Sequence, residues 1–305
     1  MAMAQGDLFR ITGSTRAVAL LGYPVSHSLS PEIHNAAFAA TGLDYCYLAL
    51  NVRAEDLEIA FRGLKVAGFA GLNLTAPHKE RIIPLLDGLT DEARAIGAVN
   101  TVANREGRWI GTNTDATGFR RLLEINGMFK PGMKSLVLGA GGAARAALYV
   151  LGRLSGDVLV FNRTVSRARA LIDELAGFRE GGRWEALPLA RELVAANLSD
   201  ADLLVNCTNV GMHPNDQDCP LPEGVEIPPR CSVVDMVYAP PRTRLMAMAE
   251  MAGARTVGGH DMLLYQAVDA FEFWTGVQPD LRVMDRALRA GRERQMSTHG
   301  EGGND

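Results

Sequence analysis

The 305-residue sequence has few cysteines and no dense run of one charge. No two of its cysteines form a C-x-x-C pair, which excludes the common redox and zinc motifs and favours the reduced thiols of a cytoplasmic protein. The 31 basic residues are outnumbered by 35 acidic ones, so we expect no nucleic-acid partner. The cysteines are Cys46, Cys207, Cys219 and Cys231.

Long apolar runs are also missing. Arg, Gly or Pro interrupts each apolar stretch before about 18 residues, and no basic-then-apolar leader precedes Ala17. We therefore expect no membrane partner and a cytoplasmic location. With 47% hydrophobic and 22% charged residues, the composition is typical of a globular protein, and the length suits two domains.

Apolar runs alternate with segments of helical period, which predicts an α/β fold with mostly parallel strands. Ser30 is predicted to be the N-cap of a helix that Pro31 opens, and a turn at Glu106-Gly107 predicts a hairpin of 101–103 with 109–111. Strands are predicted over 17–21, 45–50, 69–74, 135–138, 157–161, 203–206 and 232–236, and helices over 31–40, 54–66, 114–124 and 260–274.

One strand enters a glycine turn that opens a helix. The turn is Gly139, Ala140, Gly141, Gly142 and Ala143, and with the following alanine it matches G-x-G-x-x-A. Such a turn lets a pyrophosphate approach the backbone at a positive helix N-terminus. The same motif also occurs in plain turns without a ligand.

The end of the next strand carries basic rather than acidic residues, at Asn162, Arg163, Thr164 and Arg167. An acid at this place binds the ribose of NAD, whereas guanidinium groups bind a 2′-phosphate through charged hydrogen bonds. The pattern therefore favours NADP. The alternative is a pair of solvated arginines at a helix start.

Hydroxyl, amide and amine groups follow two strands of the first half. Ser28 and Ser30 precede a helix N-terminus and suit an anion such as a carboxylate, although helix capping alone accounts for Ser30. Thr75 and Lys79 follow another strand. A loop lysine is usually only solvated, but a partner such as Asp115 makes a couple that can hold and move a proton.

Together these motifs resemble those of the shikimate dehydrogenase family. The ordered match spans about residues 17 to 285. It comprises SLSP at 28–31, NLTAPHK at 73–79, GAVNT at 97–101, NTD at 113–115, GAGG at 139–142, NRT at 162–164, NCTNVGM at 206–212, DMVY at 235–238 and MLLYQ at 262–266.

The resemblance implies a catalytic pair, Lys79 and Asp115, and no metal. The substrate-binding positions that it implies are Ser28, Ser30, Thr75, Asn100, Asp115, Tyr238 and Gln266. The cofactor contacts that it implies are Gly139, Ala140, Gly141, Gly142, Ala143, Asn162, Arg163, Thr164, Arg167, Thr208, Met236 and Gly259. The sequence departs from the family pattern at Ala76, Ala116 and His260, none of which removes a polar group from the site.

The resemblance also implies an organisation and an activity. An N-terminal α/β substrate-binding and catalytic domain would span 1–114, completed by 259–291. A Rossmann-like, doubly wound NADP-binding domain would span 115–258, and the polar, Gly-rich tail 292–305 is expected to be disordered. The expected reaction is the NADP-dependent reduction of 3-dehydroshikimate to shikimate in aromatic amino acid biosynthesis, by a monomer or homodimer.

Three alternatives stay open at this point. A quinate or dual quinate/shikimate dehydrogenase often carries threonine at the position of Ser30 and an acid at the position of Arg163. A non-catalytic ligand sensor would not require both Lys79 and Asp115. A hydrolase acting through Ser28 and His27 is disfavoured, because the sequence has no G-x-S-x-G elbow.

Overall fold

The structure, a computed structural model, describes residues 11–154 and 156–300, with side chains up to residue 295. Along the described chain the strands and helices are β1 (Arg16–Gly22), α1 (Ser30–Thr41), β2 (Tyr45–Asn51), α2 (Leu57–Val66), β3 (Gly71–Leu74), β4 (Gly88–Leu89), α3 (Asp91–Ile96), β5 (Thr101–Arg105), β6 (Arg108–Thr112), α4 (Thr114–Ile125), β7 (Ser135–Leu138), α5 (Gly142–Leu151), β8 (Val158–Asn162), α6 (Val165–Leu175), β9 (Trp184–Pro188), α7 (Arg191–Leu198), β10 (Leu203–Asn206), β11 (Ser232–Asp235), α8 (Arg244–Met251), β12 (Thr256–Gly258), α9 (Gly259–Thr275) and α10 (Leu281–Gly300).

The chain folds into two compact units. Unit 1 comprises 11–90, Val99–Thr112 and 267–300, and unit 2 comprises Asp91–Ala98 and Asn113–Gln266. Both are built from alternating strands and helices, as the sequence predicts for an α/β fold. The chain leaves unit 2 for unit 1 within α9.

Unit 1 contains a mixed sheet in the order β2-β1-β3-β5-β6-β4. The first three strands along the chain are parallel, whereas β5 runs antiparallel to both β3 and β6. The hairpin predicted between β5 and β6 is confirmed. Its turn residues have φ values of 54° at Glu106 and 87° at Gly107, the left-handed pair that a two-residue hairpin turn requires.

Unit 2 contains a parallel sheet in the order β12-β11-β10-β7-β8-β9. If β7 is counted as strand 1, the order is 6-5-4-1-2-3. This is the strand order of a doubly wound sheet, and it confirms the predicted Rossmann-like fold. The order reverses between β7 and β10, whose register pairs Leu138 with Asn206 at their carboxyl ends. Open α/β sheets bind ligands at this point.

The cores explain why these strands form. Both β7 and β10 are buried along their whole length, which is why their sequences are nearly continuous apolar runs. Leu136, Leu159 and Leu204 belong to one buried cluster in unit 2. In unit 1 the core is aromatic, with the ring centroids of Phe38 and Phe271 4.9 Å apart.

The structure corrects two local predictions. Helix α1 begins at Ser30, and no side chain caps it, so Ser30 is not its N-cap. Residues 292–300, predicted to be disordered, continue α10, and this helix packs on α1 and on the residues before it: a Cβ on Gly291 would lie 3.1 Å from Glu32 Cγ, and Gln295 donates to the carbonyl of His27 over 3.1 Å. Residues 301–305 lie outside the described residues.

Candidate functional site

The two serines stand where the chain enters α1. The backbone N–H of buried Ser30 donates to the Oγ of half-buried Ser28 over 3.3 Å. It is therefore Ser28, not Ser30, that satisfies a backbone donor at this helix start. Both hydroxyls lie at the positive end of α1, where a carboxylate is stabilised.

Lys79 follows β3 on a segment whose backbone is fixed at several points. Thr75 donates its N–H to the Leu21 carbonyl over 2.9 Å, and the Lys79 carbonyl accepts from the N–H of Val99 over 2.8 Å. Next to Lys79, the buried His78 ring lies 2.8 Å from the Val52 carbonyl, and burial lowers its pKa. These contacts hold the half-buried Lys79 at the carboxyl end of β3.

A buried network of uncharged groups joins Ser30 to Asn100. The Tyr47 hydroxyl donates to Asn73 Oδ1 over 2.7 Å, and Asn73 Nδ2 donates to the Asn100 carbonyl over 3.0 Å and to Thr101 Oγ1 over 2.9 Å. The Thr101 hydroxyl donates to Asn100 Oδ1 over 3.1 Å. Burial raises the pKa of Tyr47, and a hydrogen bond with the Ser30 side chain opposes this rise.

Tyr47 is the member of this network that the sequence motifs did not predict. It lies on β2, outside every recognised motif, and nothing in its spacing connects it to Ser30. Only the parallel pairing of β2 with β1 brings it beside the other site residues of unit 1. Unit 1 thus contains five of the predicted positions, namely Ser28, Ser30, Thr75, Lys79 and Asn100.

Asp115 lies in unit 2, in the first turn of α4. Asn113 caps this helix by accepting from the Ala116 N–H over 3.2 Å, and its amide donates to the Ala98 carbonyl over 2.9 Å. The side chains of Thr114 and Gln266 are 3.5 Å apart between Oγ1 and Oε1. The structure therefore brings the start of α4, with buried Asp115, next to Gln266 on α9.

The glycine turn lies at the reversal of strand order in unit 2. Gly139 has a φ of 102°, and a Cβ there would lie 2.9 Å from Thr208 Cγ2, so only glycine fits. Gly141 has open space around the position of a Cβ and immediately precedes α5. Fully buried Ala144 allows close packing of α5 on the sheet. This cradle fits a pyrophosphate at the N-terminus of α5.

The basic residues after β8 lie at the surface. Arg163 and Arg167 are both exposed, and the N–H of Arg167 donates to the Thr164 carbonyl over 3.1 Å. Asn162 fixes the turn, because its amide donates to the same carbonyl over 2.9 Å. The guanidinium groups of Arg163, on the turn, and Arg167, in the first turn of α6, are exposed and can bind a phosphate at the protein surface.

The remaining predicted contacts follow β10, β11 and β12. Thr208 donates both its N–H and its hydroxyl to Asn206 Oδ1, over 3.0 and 2.7 Å, and Met236 donates its N–H to the Asn206 carbonyl over 3.0 Å. A Cβ on Gly259 would lie 2.4 Å from the Met236 carbonyl oxygen, so no side chain fits there. Burial raises the pKa of Tyr238, which lies two residues after Met236.

The described residues contain no group of three or more His, Cys, Asp or Glu side chains placed to hold a metal ion. Over the same part of the chain, none of the helices combines the length and the hydrophobicity needed to span a membrane.

Comparison with known proteins gives a consistent set of relatives. The family model described as "Shikimate dehydrogenase substrate binding domain" matches residues 20–102, and the one described as "Shikimate 5'-dehydrogenase C-terminal domain" matches 259–289. The chain is 47% identical over 280 residues to a shikimate dehydrogenase (NADP(+)) of Methanopyrus kandleri, covering 91% of this chain and 96% of that protein.

Two solved structures extend the comparison. A shikimate 5-dehydrogenase from Thermus thermophilus, in complex with NADP(H) and shikimate, has a TM-score of 0.78 and 40% identity, covering 91% of this chain and all of that one (100%). A quinate dehydrogenase from Corynebacterium glutamicum, in complex with NAD, has a TM-score of 0.80 and 32% identity, covering 90% of this chain and 99% of that one.

Proposed function

The chain belongs to the shikimate dehydrogenase family, and we propose that it catalyses the NADP-dependent, reversible reduction of 3-dehydroshikimate to shikimate. It is an oxidoreductase, and the resemblance predicted from its sequence is confirmed. The proposed reaction rests on the glycine cradle at Gly139 and on the hydrogen-bonded backbone around Lys79. A hydride transfer needs both a nicotinamide cofactor and a group that moves a proton.

The residues of unit 2 fit NADP. The turn at Gly139 leaves no room for a side chain, the start of α5 suits a pyrophosphate, and Arg163 and Arg167 suit the 2′-phosphate. Thr208, Met236 and Gly259 would contact the nicotinamide end. When bound, the reduced cofactor supplies the hydride.

The residues of unit 1 would hold the substrate. Ser28 and Ser30 would donate hydrogen bonds to its carboxylate, because both hydroxyls lie at the positive end of α1. Thr75 and Asn100 would bind ring hydroxyls, since their backbones are fixed beside β3. From unit 2, Asp115, Tyr238 and Gln266 would complete the set.

Lys79 would move the proton. In the direction of reduction its ammonium Nζ donates a proton to the carbonyl oxygen as this oxygen becomes an alkoxide, and in oxidation the neutral amine takes the proton from the hydroxyl. Asp115, the other member of the catalytic pair that the resemblance implies, would accept a hydrogen bond from a ring hydroxyl. The proposal keeps 1–114 with 259–291 as the substrate part and 115–258 as the cofactor part.

A quinate or dual quinate/shikimate dehydrogenase is the second candidate, because a quinate dehydrogenase is among the similar structures. Two residues of this chain favour shikimate and NADP: the serine at 30 and the arginine at 163. We further propose a monomer or homodimer, acting in the cytoplasm in aromatic amino acid biosynthesis.

One assay tests the proposal. Initial rates are measured on one purified sample with shikimate or quinate, each with NADP or NAD. We expect the highest kcat/KM for shikimate with NADP. A higher value for quinate would establish the second candidate, and tight binding of shikimate without turnover in any combination would establish a non-catalytic sensor.

A further inference from the structure

A carboxylate without an assigned role lies at the carboxyl end of β11. Asp235 is fully buried, and its two oxygens accept hydrogen bonds from three different groups. Oδ1 accepts from Asn206 Nδ2 over 2.9 Å and from the Val237 N–H over 3.0 Å, and Oδ2 accepts from the Thr243 hydroxyl over 2.6 Å. We call Asp235, Asn206 and Thr243 the β11 cluster.

Hydrogen bonds of Asn206 connect Asp235 to Thr208, and we call this connection the first arm of the β11 cluster. The Asn206 side chain donates to Asp235 with its amide nitrogen and accepts both hydrogen bonds of Thr208 with its oxygen. The Asp235 carboxylate therefore fixes which way the Asn206 amide points, because a reversed amide would turn its oxygen toward the carboxylate. The same Thr208 is a proposed cofactor contact.

The hydrogen bond from the Val237 N–H connects Asp235 to the segment between Met236 and Tyr238, and we call this connection the second arm. The Val237 N–H donates to Asp235, and the Val237 carbonyl accepts from Gly259 over 3.3 Å. Val237 lies between Met236 and Tyr238, two proposed ligand contacts, and the buried Asp235 carboxylate thus holds its backbone in place. The third donor, Thr243, is connected to α8 rather than to a proposed ligand contact. Its hydroxyl oxygen caps this helix by accepting from the Met246 N–H over 3.2 Å.

We propose that Asp235 is a positioning residue that sets the cofactor-binding loop through Asn206 and Thr208, and the cofactor- and substrate-contacting segment through the Val237 N–H. The proposal rests on the proposed function for the identity of the ligands. A carboxylate suits this position because it is an acceptor on both oxygens, and each of its three partners is a donor. Its buried location excludes direct contact with a ligand as its role.

Loss of each arm is expected to change the Kd values for NADP and shikimate differently. Asp235→Ala should raise the Kd for NADP and for shikimate by roughly tenfold or more, since small displacements of positioned groups are costly. Asp235→Asn should lie between wild type and Asp235→Ala for both ligands, because its Oδ1 can still accept from Asn206 and Val237. Asn206→Ala cuts only the first arm, so it should raise the Kd for NADP and change that for shikimate by less than about twofold.

The experiment titrates full-length protein with NADP and with shikimate, well below each variant's Tm. Thr243→Val removes the donor that leads to α8, so it should lower Tm with little change in either Kd. Asp173→Asn, an exposed aspartate of unit 2, controls for the loss of one negative charge. If Asp235→Ala does not fold, Asp235→Asn and Asn206→Ala carry the test.

Lower Tm with wild-type affinity for both ligands in the Asp235 variants would overturn the proposal and leave Asp235 a purely structural residue. Equal weakening of both ligands by Asn206→Ala would overturn the assignment of two arms. Failure of the wild-type protein to bind or oxidise shikimate would contradict the proposed function, and the NADP titrations would still test the first arm.

Discussion

The two units fix their polar residues in different ways. In unit 1, Ser30 and Asn100 are joined through Tyr47, Asn73 and Thr101, and every member of this network is uncharged. In unit 2 the corresponding groups are arranged around the buried Asp235 carboxylate. Hydrogen bonds to an ionised acceptor are stronger, but a buried charge is costly once its donors are lost.

The difference indicates how far a substitution should act in each unit. In a neutral network each hydrogen bond contributes roughly 0.5–1.5 kcal/mol, and removing one partner leaves a buried group unsatisfied at a cost of roughly 1–3 kcal/mol. A carboxylate that holds three donors transmits one change to all of them. We therefore expect substitutions in unit 1 to have local effects and substitutions around β11 to affect several groups at once.

The largest effect is expected at Lys79. Because this group acts only where a proton moves, Lys79→Ala should lower kcat by roughly 10²- to 10⁴-fold and leave the Kd values for shikimate and NADP within a few-fold. Stopped-flow rates and equilibrium titrations check this. Near-normal turnover from neutral to alkaline pH would mean that another group moves the proton, while Asp115→Asn should lower kcat and weaken substrate binding as well.

The next effect lies in unit 2, outside the β11 cluster. Arg163→Asp removes a proposed phosphate contact and adds repulsion, so the ratio of kcat/KM for NADP to that for NAD should fall by roughly 10²-fold. Arg163→Gln, which removes the charge without repulsion, should give a smaller fall. Equal use of NADP and NAD by the wild-type protein would contradict the assignment of Arg163.

The third prediction concerns pH. Burial lowers the pKa of His34 in unit 1 to about 3 from 6.5, and its ring stacks 4.6 Å from that of Tyr47 between centroids. The unfolded chain therefore binds a proton that the folded chain does not, and stability falls as pH drops from 6.5 towards 3. Between about pH 6.5 and pH 5 the free energy of unfolding should decrease by about 1.5–2 kcal/mol from this residue.

Denaturant titrations at several pH values check this, with His34→Phe expected to reduce the slope of the free energy of unfolding against pH. An unchanged slope in His34→Phe would remove His34 from the explanation. Asp235 of unit 2 differs from His34, because burial raises the pKa of its carboxyl. That carboxyl therefore contributes with the opposite sign, and its contribution is lost as pH rises.

The smallest effect is expected at Ser28. Ser28→Ala removes a proposed carboxylate contact and the acceptor of the Ser30 N–H, so KM for shikimate should rise a few-fold and stability should fall by about 0.5–1 kcal/mol. Ser166→Ala, at an exposed position of α6, is the control. Loss of stability with unchanged kinetics would show that Ser28 serves only the start of α1.

The sequence predicts fully buried strands well and several edge strands poorly. The strands at 135–138 and 203–206 are confirmed residue by residue, because both are buried apolar runs. The strands β4, β9 and β12 were not predicted, since such short or edge strands lack a continuous apolar signal. The packing of α10 on α1 is a contact between segments far apart in sequence, which no local pattern contains.

The same limit applies to the site. The motifs around Gly139 and Lys79 are contiguous in sequence, so they could be recognised there. Tyr47 could not be recognised, because it joins Ser30 only through strand pairing. Asp235 belongs to a recognised motif, yet its partners Asn206 and Thr243 lie outside that motif, and hydrogen bonding between them is a property of the fold.

The contact between Gly71 and Trp274 in unit 1 affects the order in which the two units can finish folding during synthesis. A Cβ on Gly71 would lie 2.4 Å from the Trp274 indole, and that indole donates to the Val102 carbonyl over 3.0 Å. The sheet of unit 1 is synthesised early, but this covering side chain emerges only after Gln266, the last residue of unit 2. Since domains generally fold as units during synthesis, the inserted unit can finish folding while the unit that began first still exposes an apolar sheet face.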